Sequence, residues 1–323
     1  MHFVQTEELC EKDRLALPIY NLNGGIALNA DDELTNADIE LLQKRGFSQV
    51  CILDDVTSVA EGTISVKTRA ETIHALRSMN FDACVVYANR IASELLINDR
   101  GFITSNLMNL CVFDSYTFNH SVNVAVYAAA LGIRLGLETP RVYDLAIAGL
   151  LHDLGKQMIP SNVMWKKGRF TDEERECIQS HPVVGFNMIK DNANLSKEIK
   201  YAVLTHHENF DGSGYPYNLV GTKIPIYGRI LRIVDCYDAL VSDRIYKKAD
   251  TCVQALSYIR ENSGTLFDKG IAEAFASNLA TMSAGDEYIF EDGSIGYVKE
   301  IKSANVFTVV RALDGSEVEV TNG

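Results

Sequence analysis

The chain has 323 residues, 47% hydrophobic and 23% charged, an ordinary balance for folded domains and enough for two or three of them. Its formal net charge of −13 disfavours nonspecific binding to nucleic-acid polymers or anionic membrane, which needs a basic face. Its seven scattered cysteines, odd in number and without a CxxC, exclude a disulfide framework or a thiolate zinc ribbon and fit the reduced thiols of a cytoplasmic protein. The N-terminus MHFVQTEELCEKDR lacks an apolar signal core, and no uncharged apolar run approaches ~18 residues, so no membrane span is expected.

Residues 1–65 read as mixed α/β. LPIYNLNGGIAL is extended chain broken at Gly24-Gly25. NADIELLQKRG reads as a short helix with Asn36 as N-cap and Gly46 as its stop, and SQVCILDD as a strand. Asp54-Asp55 after that strand is read as a charged strand end rather than a receiver-like acidic pair. From Val66 to about Met108 the pattern is helical, with Ile73, Leu76 and Met79 on one face. His74 in this stretch has no carboxylate at ligand spacing and reads as a surface or packing residue.

From Asp114 to about Ala280 the chain reads as almost all helix, with helices expected at 119–135, 141–154, 172–179, 182–191, 196–207, 227–244, 250–261 and 270–280. From Gly285 the pattern changes to apolar/polar alternation around two Asp-Gly turns, which predicts a small antiparallel β unit.

Five of the seven histidines fall between His120 and His207. His120 opens an apolar helix, and His152-Asp153 ends another, where Gly155 is expected to take a left-handed helix-ending conformation. His181 precedes Pro182 at a helix start, His206 and His207 close the helix KEIKYAVLTHH, and Asp235 lies inside an apolar helix. One histidine at a helix end is ordinarily structural. Five on consecutive apolar helices, with Asp153 and a buried-looking Asp235, point to a transition-metal site. Seven ligand-type residues exceed the need of one ion and favour two metals with Asp153 bridging.

HDLGKQMIP fits the pattern HDxGKxxxP, and HHENFDGSGYP fits HHExxDGxGYP. With YTFNHSVNVA and RILRIVDCYDALVSDRIYK, these segments resemble the HD-GYP domains, a branch of the HD phosphohydrolases, over about residues 110–280. The resemblance implies a mainly α fold: an HD-type helical bundle at 111–282, after a small α/β regulatory or dimerisation region at 1–110 and before a short β unit at 283–323. It implies hydrolysis of cyclic di-GMP, a bacterial second messenger, to pGpG and in some members GMP, through a hydroxide bridging two divalent ions, Fe or Mn. A homodimer is compatible with this organisation.

Carried over by position, the metal ligands are His120, His152, Asp153, His181, His206, His207 and Asp235. One ion is expected near His120, His152, Asp153 and Asp235, and the other near Asp153, His181, His206 and His207. Lys156 would face the scissile phosphate, Arg244 and Lys247 would grip the ligand, and Tyr215 would line the pocket mouth. Glu208 reads either as a support for the histidines or as a solvated helix-end carboxylate, and Asp211 as ordering its own turn. Members with a third metal have a Glu four residues before the first histidine; Tyr116 stands there, which argues against a third ion although Asp114 is near. Two other readings remain: a sensor that binds the nucleotide without cleaving it, and a hydrolase of another phosphoester such as cyclic GMP-AMP. Retention of every HD and GYP residue argues against the first, and Tyr215-Pro216 with the basic pair against the second.

Overall fold

The structure is a computed structural model that describes residues 2–21, 25–45, 47, 49–53, 64–97, 116–164, 166, 168–242, 250–282 and 287–321. The chain divides into two compact units: residues 1–83, 97–119 and 278–323 form one, and residues 84–96 and 120–277 the other.

The first unit contains strands β1 (His2–Gln5), β2 (Ile19–Tyr20), β3 (Ile26–Leu28) and β4 (Gln49–Ile52) and helix α1 (Asn36–Lys44). β1 pairs antiparallel with β4, and β2 with β3. Leu15, Ile19, Leu34, Leu42 and Val50 are buried together. The N-cap of α1 is Thr35, one residue before the expected Asn36, because its hydroxyl accepts from Asp38 N while the Asp38 carboxylate accepts from Thr35 N. Gly46, the expected stop, lies outside the described residues, as do Asp54 and Asp55. Helix α2 (Val66–Arg77) also belongs here; His74 at its last turn is exposed. Strands β5 (Glu287–Ile289), β6 (Ile295–Ser303), β7 (Val306–Arg311) and β8 (Glu317–Thr321) form an antiparallel sheet in that order. The Asp-Gly pairs turn as expected, with Gly293 at φ 80° and Gly315 at φ 70°. One face of the sheet buries Phe290, Val298, Phe307, Val309 and Val320.

The second unit is helical, as the sequence predicts. It comprises most of α3 (Phe81–Ile97), then α4 (Tyr116–Arg134), α5 (Thr139–Leu151), α6 (Ser161–Met164), α7 (Asp172–Gln179), α8 (His181–Ile189), α9 (Lys197–Thr205), α10 (Ile226–Val241), α11 (Cys252–Glu261) and α12 (Lys269–Asn278). α9 packs against α5, α8 and α10. The apolar faces of α4, α5 and α10 are buried through Val124, Leu131, Leu145, Leu150, Ile230 and Val234, each contributing roughly 1.5–3 kcal/mol relative to an exposed side chain. Tyr127, Tyr237 and Phe275 form an edge-to-face cluster that ties α4, α10 and α12, with the two tyrosine rings 5.3 Å apart. No helix among the described residues is long and apolar enough to cross a membrane.

Between α5 and α6 the chain makes a 3-10 turn, Leu154–Met158, packed on α8. Gly155 lies in this turn and does not have the expected positive φ. Its requirement is steric: a Cβ there would sit 2.0 Å from the His181 carbonyl oxygen. That close approach brings Asp153 and His181 together.

Candidate metal centre

Helix ends leave their last carbonyls without helical partners, and the chain uses these carbonyls to aim its histidines. His152 caps α5 and its Nδ1 donates to Gly149 O at 2.7 Å. His206 caps α9 and its Nδ1 donates to Val203 O at 2.8 Å. His181 follows the end of α7 and its Nδ1 donates to Ile178 O at 2.7 Å. A carbonyl only accepts, so the proton of each ring sits on Nδ1 and each Nε2 presents a lone pair to the interior. His120 is oriented in the same way by Asp238, whose Oδ2 lies 2.7 Å from Nδ1.

These lone pairs converge into two groups. Asp153, His181, His206 and His207 offer ligand atoms within 4.8 Å of one another, and so do His120, His152 and Asp235. Asp153 divides its carboxylate between them. Its Oδ1 is 3.3 Å from His181 Nε2 and 3.8 Å from His206 Nε2; its Oδ2 is 3.3 Å from His152 Nε2 and 3.7 Å from His120 Nε2. Asp235 Oδ1 is 3.1 Å from His120 Nε2, and Asp235 Oδ2 is 3.9 Å from His207 Nδ1. The sequence-predicted ligands thus come together from α4, α5, α8, α9 and α10.

The donor set fits cations. His181 Nε2 and His206 Nε2 lie 3.1 Å apart, and both are acceptors once Nδ1 holds the proton. His152 Nε2 and Asp153 Oδ1 are buried without a hydrogen-bond partner. Such juxtaposed buried acceptors cost free energy unless a positive charge satisfies them. Burial, then the neighbouring His152 and His181, push His206 down to about 4, so its ring is neutral near pH 7. Burial would raise Asp235, but the His120 hydrogen bond and the charges of His207, His120 and His152 hold it well below the usual carboxylate range. Asp153 is held low in the same way by His152 and Lys156, against burial. Burial would also lower His120, but Asp235 and Asp238 overcome it and raise the ring to about 9. His206 and the two carboxylates are thus in the states a divalent metal takes, whereas His120 would release its Nε2 proton as a metal binds.

Lys156, at the rim on the 3-10 turn, bonds Asp153 Oδ2 at 2.6 Å. Tyr215 is half-buried and its ring stacks on His207 with centroids 4.8 Å apart. The loop that carries it is folded back tightly: a Cβ at Gly214 would lie 2.2 Å from Asn209 N, and Tyr215 N donates to His207 O. Asp211 orders its own turn by accepting from Ser213 N and Oγ. Glu208 has neither of its expected roles. It is buried, and its carboxylate accepts from Tyr217 N at 2.7 Å and Leu219 N at 2.9 Å, so it clamps the loop after the cis Tyr215-Pro216 bond. Arg244 and Lys247, the expected ligand-gripping pair, lie outside the described residues, as does Asp114.

Sequence reasoning passed over Asp238. It is buried, and besides His120 it accepts from Asn123 Nδ2 at 2.9 Å. Its signal was its place three residues after Asp235, on the same side of α10.

Residues 102–271, more than half of the chain, match the HD domain family model, and the chain belongs to that family, in its HD-GYP branch. It is 35% identical over 203 residues to the cyclic di-GMP phosphodiesterase PA4108 of Pseudomonas aeruginosa, covering 63% of this chain and 49% of that protein. It is 37% identical over 156 residues to the cyclic di-GMP phosphodiesterase response regulator RpfG of Xanthomonas campestris, covering 48% of this chain and 41% of that one. The chain thus aligns with half or less of these relatives' lengths. Its fold is similar to that of Bd1817, an HDG"Y"P protein from Bdellovibrio bacteriovorus, with a TM-score of 0.58 at 15% identity over 85% of this chain and 97% of the other.

Proposed function

We propose that the chain is a metal-dependent phosphodiesterase that hydrolyses cyclic di-GMP to pGpG, with GMP as the further product of a second cleavage. The reading is carried by one observation: two groups of inward-facing acceptors that share the carboxylate of Asp153. The cyclic di-GMP phosphodiesterases to which the chain is similar support the choice of substrate. His120, His152 and Asp235 would hold one divalent ion and His181, His206 and His207 the other, with Asp153 common to both. The His/carboxylate mixture favours Fe or Mn. When bound, such a pair supplies Lewis acidity and lowers the pKa of water.

The protein side chains do the rest. The Lys156 ammonium at the rim carries fixed positive charge toward the phosphoryl oxygens as negative charge develops on them. The carbonyl-anchored histidines need little reorganisation, since their rings are already aimed. Tyr215 offers a flat, half-buried face beside His207 for the ligand. Residues 111–282 carry this chemistry, and 1–110 act in regulation or dimerisation.

The test is turnover of labelled cyclic di-GMP by Mn- or Fe-loaded protein, with cyclic GMP-AMP in parallel. The expected result is pGpG formation that a chelator abolishes. Tight binding without cleavage would convert the reading to a sensor, and cleavage of cyclic GMP-AMP alone would replace the substrate.

A further inference from the structure

α10 carries three polar side chains along one side at three-residue spacing: Arg232, Asp235 and Asp238. Asp238 orients His120, and Asp235 belongs to the His120–His152 group. Arg232 lies one turn nearer the helix N-terminus, beside the loop that carries Tyr215. Its Nε donates to Asn209 Oδ1 at 2.8 Å, and its guanidinium carbon stands 5.2 Å from the centre of the Phe267 ring. These two contacts set the plane of the fork yet use one of its five N–H donors. The Nη groups have no hydrogen-bond or ion-pair partner among the described residues. Arg229, one turn before, differs: its Nη1 is paired with Asp268 at 2.6 Å.

This half-buried, oriented guanidinium has no carboxylate partner among the described residues, although the chain carries a net charge of −13. The Asn209 side chain that fixes its Nε lies two residues after His207, whose ring stacks on Tyr215, so the guanidinium stands beside the loop that carries that pair. A planar fork with free paired donors matches a phosphate bidentately.

We propose that Arg232 is a substrate-binding residue whose Nη donors grip the second, non-scissile phosphate of the cyclic dinucleotide. The assignment rests on the phosphodiesterase reading above. It differs from that reading in being legible in affinity as well as in turnover.

The experiment compares wild-type, Arg232→Gln, Arg232→Lys and Asn209→Ala full-length protein at equal metal content. Affinity for fluorescent cyclic di-GMP is measured across a salt series, and turnover is measured with bis(p-nitrophenyl) phosphate, a diester with one phosphate and no base. Arg232→Gln should weaken cyclic di-GMP binding roughly 10–100-fold, and should lower its kcat/KM at least tenfold more than that of the simple diester. Arg232→Lys should fall between, since it restores the charge without the fork. The affinity of Arg232→Gln should also depend less on salt, because a charge pair has been lost. Equal losses on both substrates, an unchanged salt dependence, or an Asn209→Ala variant that reproduces the full selective loss would overturn the proposal. Wild-type protein that binds the nucleotide without cleaving it would sink the phosphodiesterase reading alone, because the Arg232 comparison is still read on affinity.

Discussion

Three carboxyl side chains differ in what they hold, and so in what their loss should do. Asp153 offers one oxygen to each histidine group, so Asp153→Ala should lose both ions. Loss of one alone, in metal analysis of protein purified under reducing conditions, would argue against a shared ligand. Asp238 belongs to neither histidine group; it holds the outer nitrogen of His120 and accepts from the amide of Asn123 and the hydroxyl of Ser242. Asp238→Ala should leave a folded protein whose metal affinity is about 10–100-fold weaker, the usual cost of removing a histidine's orienting partner. Glu208 reaches neither histidine group and holds backbone instead. Lys156→Ala should keep its metals and lower kcat by roughly 10²–10³-fold with a smaller change in KM, since its charge matters most as the transition state forms. An intact kcat with a raised KM would make Lys156 a binding group.

At the scale of elements, the site depends on how closely a 3-10 turn meets α8 and how tightly the loop after His207 is folded back. Gly155→Ala would drive a methyl group into the His181 carbonyl. The turn must then move away from α8, which should cost ~1–3 kcal/mol of stability and widen the Asp153–His181 gap. The expected readout is a lower melting temperature together with lower metal occupancy. A variant with wild-type values of both would show that the turn moves freely. The loop depends on two charge-assisted hydrogen bonds to the buried Glu208 carboxylate, which explains why a residue that reads as a charged helix end is almost completely buried.

At the scale of the molecule, stability and metal binding should be linked. Seven converging acceptor side chains are costly to bring together without a cation, so bound metal should stabilise the folded state. Removing it with a chelator should lower the melting temperature and Mn²⁺ should restore it, with a free-energy gain of about 2.7 kcal/mol when free metal is 100-fold above Kd. A melting temperature indifferent to chelator would contradict this. Residues 84–96 group with the helices of residues 120–277, and Ser93 Oγ bonds the Tyr143 hydroxyl at 2.9 Å. A chain beginning near residue 80 should therefore fold better than one beginning at 110, because the shorter one lacks the buried Cys84, Ala88, Ile91, Ala92 and Leu95 of α3.

The helical body, the β unit with its Asp-Gly turns and the seven ligand-type residues were legible in the sequence, because periodicity, turn chemistry and residue identity are local properties. The histidines were readable at helix ends for a local reason too: a free carbonyl three residues back anchors each of three rings. What an exposed-looking residue touches is decided only when distant segments pack. Glu208 clamps backbone nine and eleven residues on, Asp238 reaches His120 across 118 residues, and Gly155 serves a close approach to α8 rather than a backbone turn. Arg232 and Arg229 are alike in sequence, three residues apart on one helix, and only packing gives Asp268 to one and leaves the fork of the other open. Sequence spacing determined which side chains face the same way along each helix; the tertiary structure decided which of them meet, because contacts between helices depend on crossings that no single helix encodes.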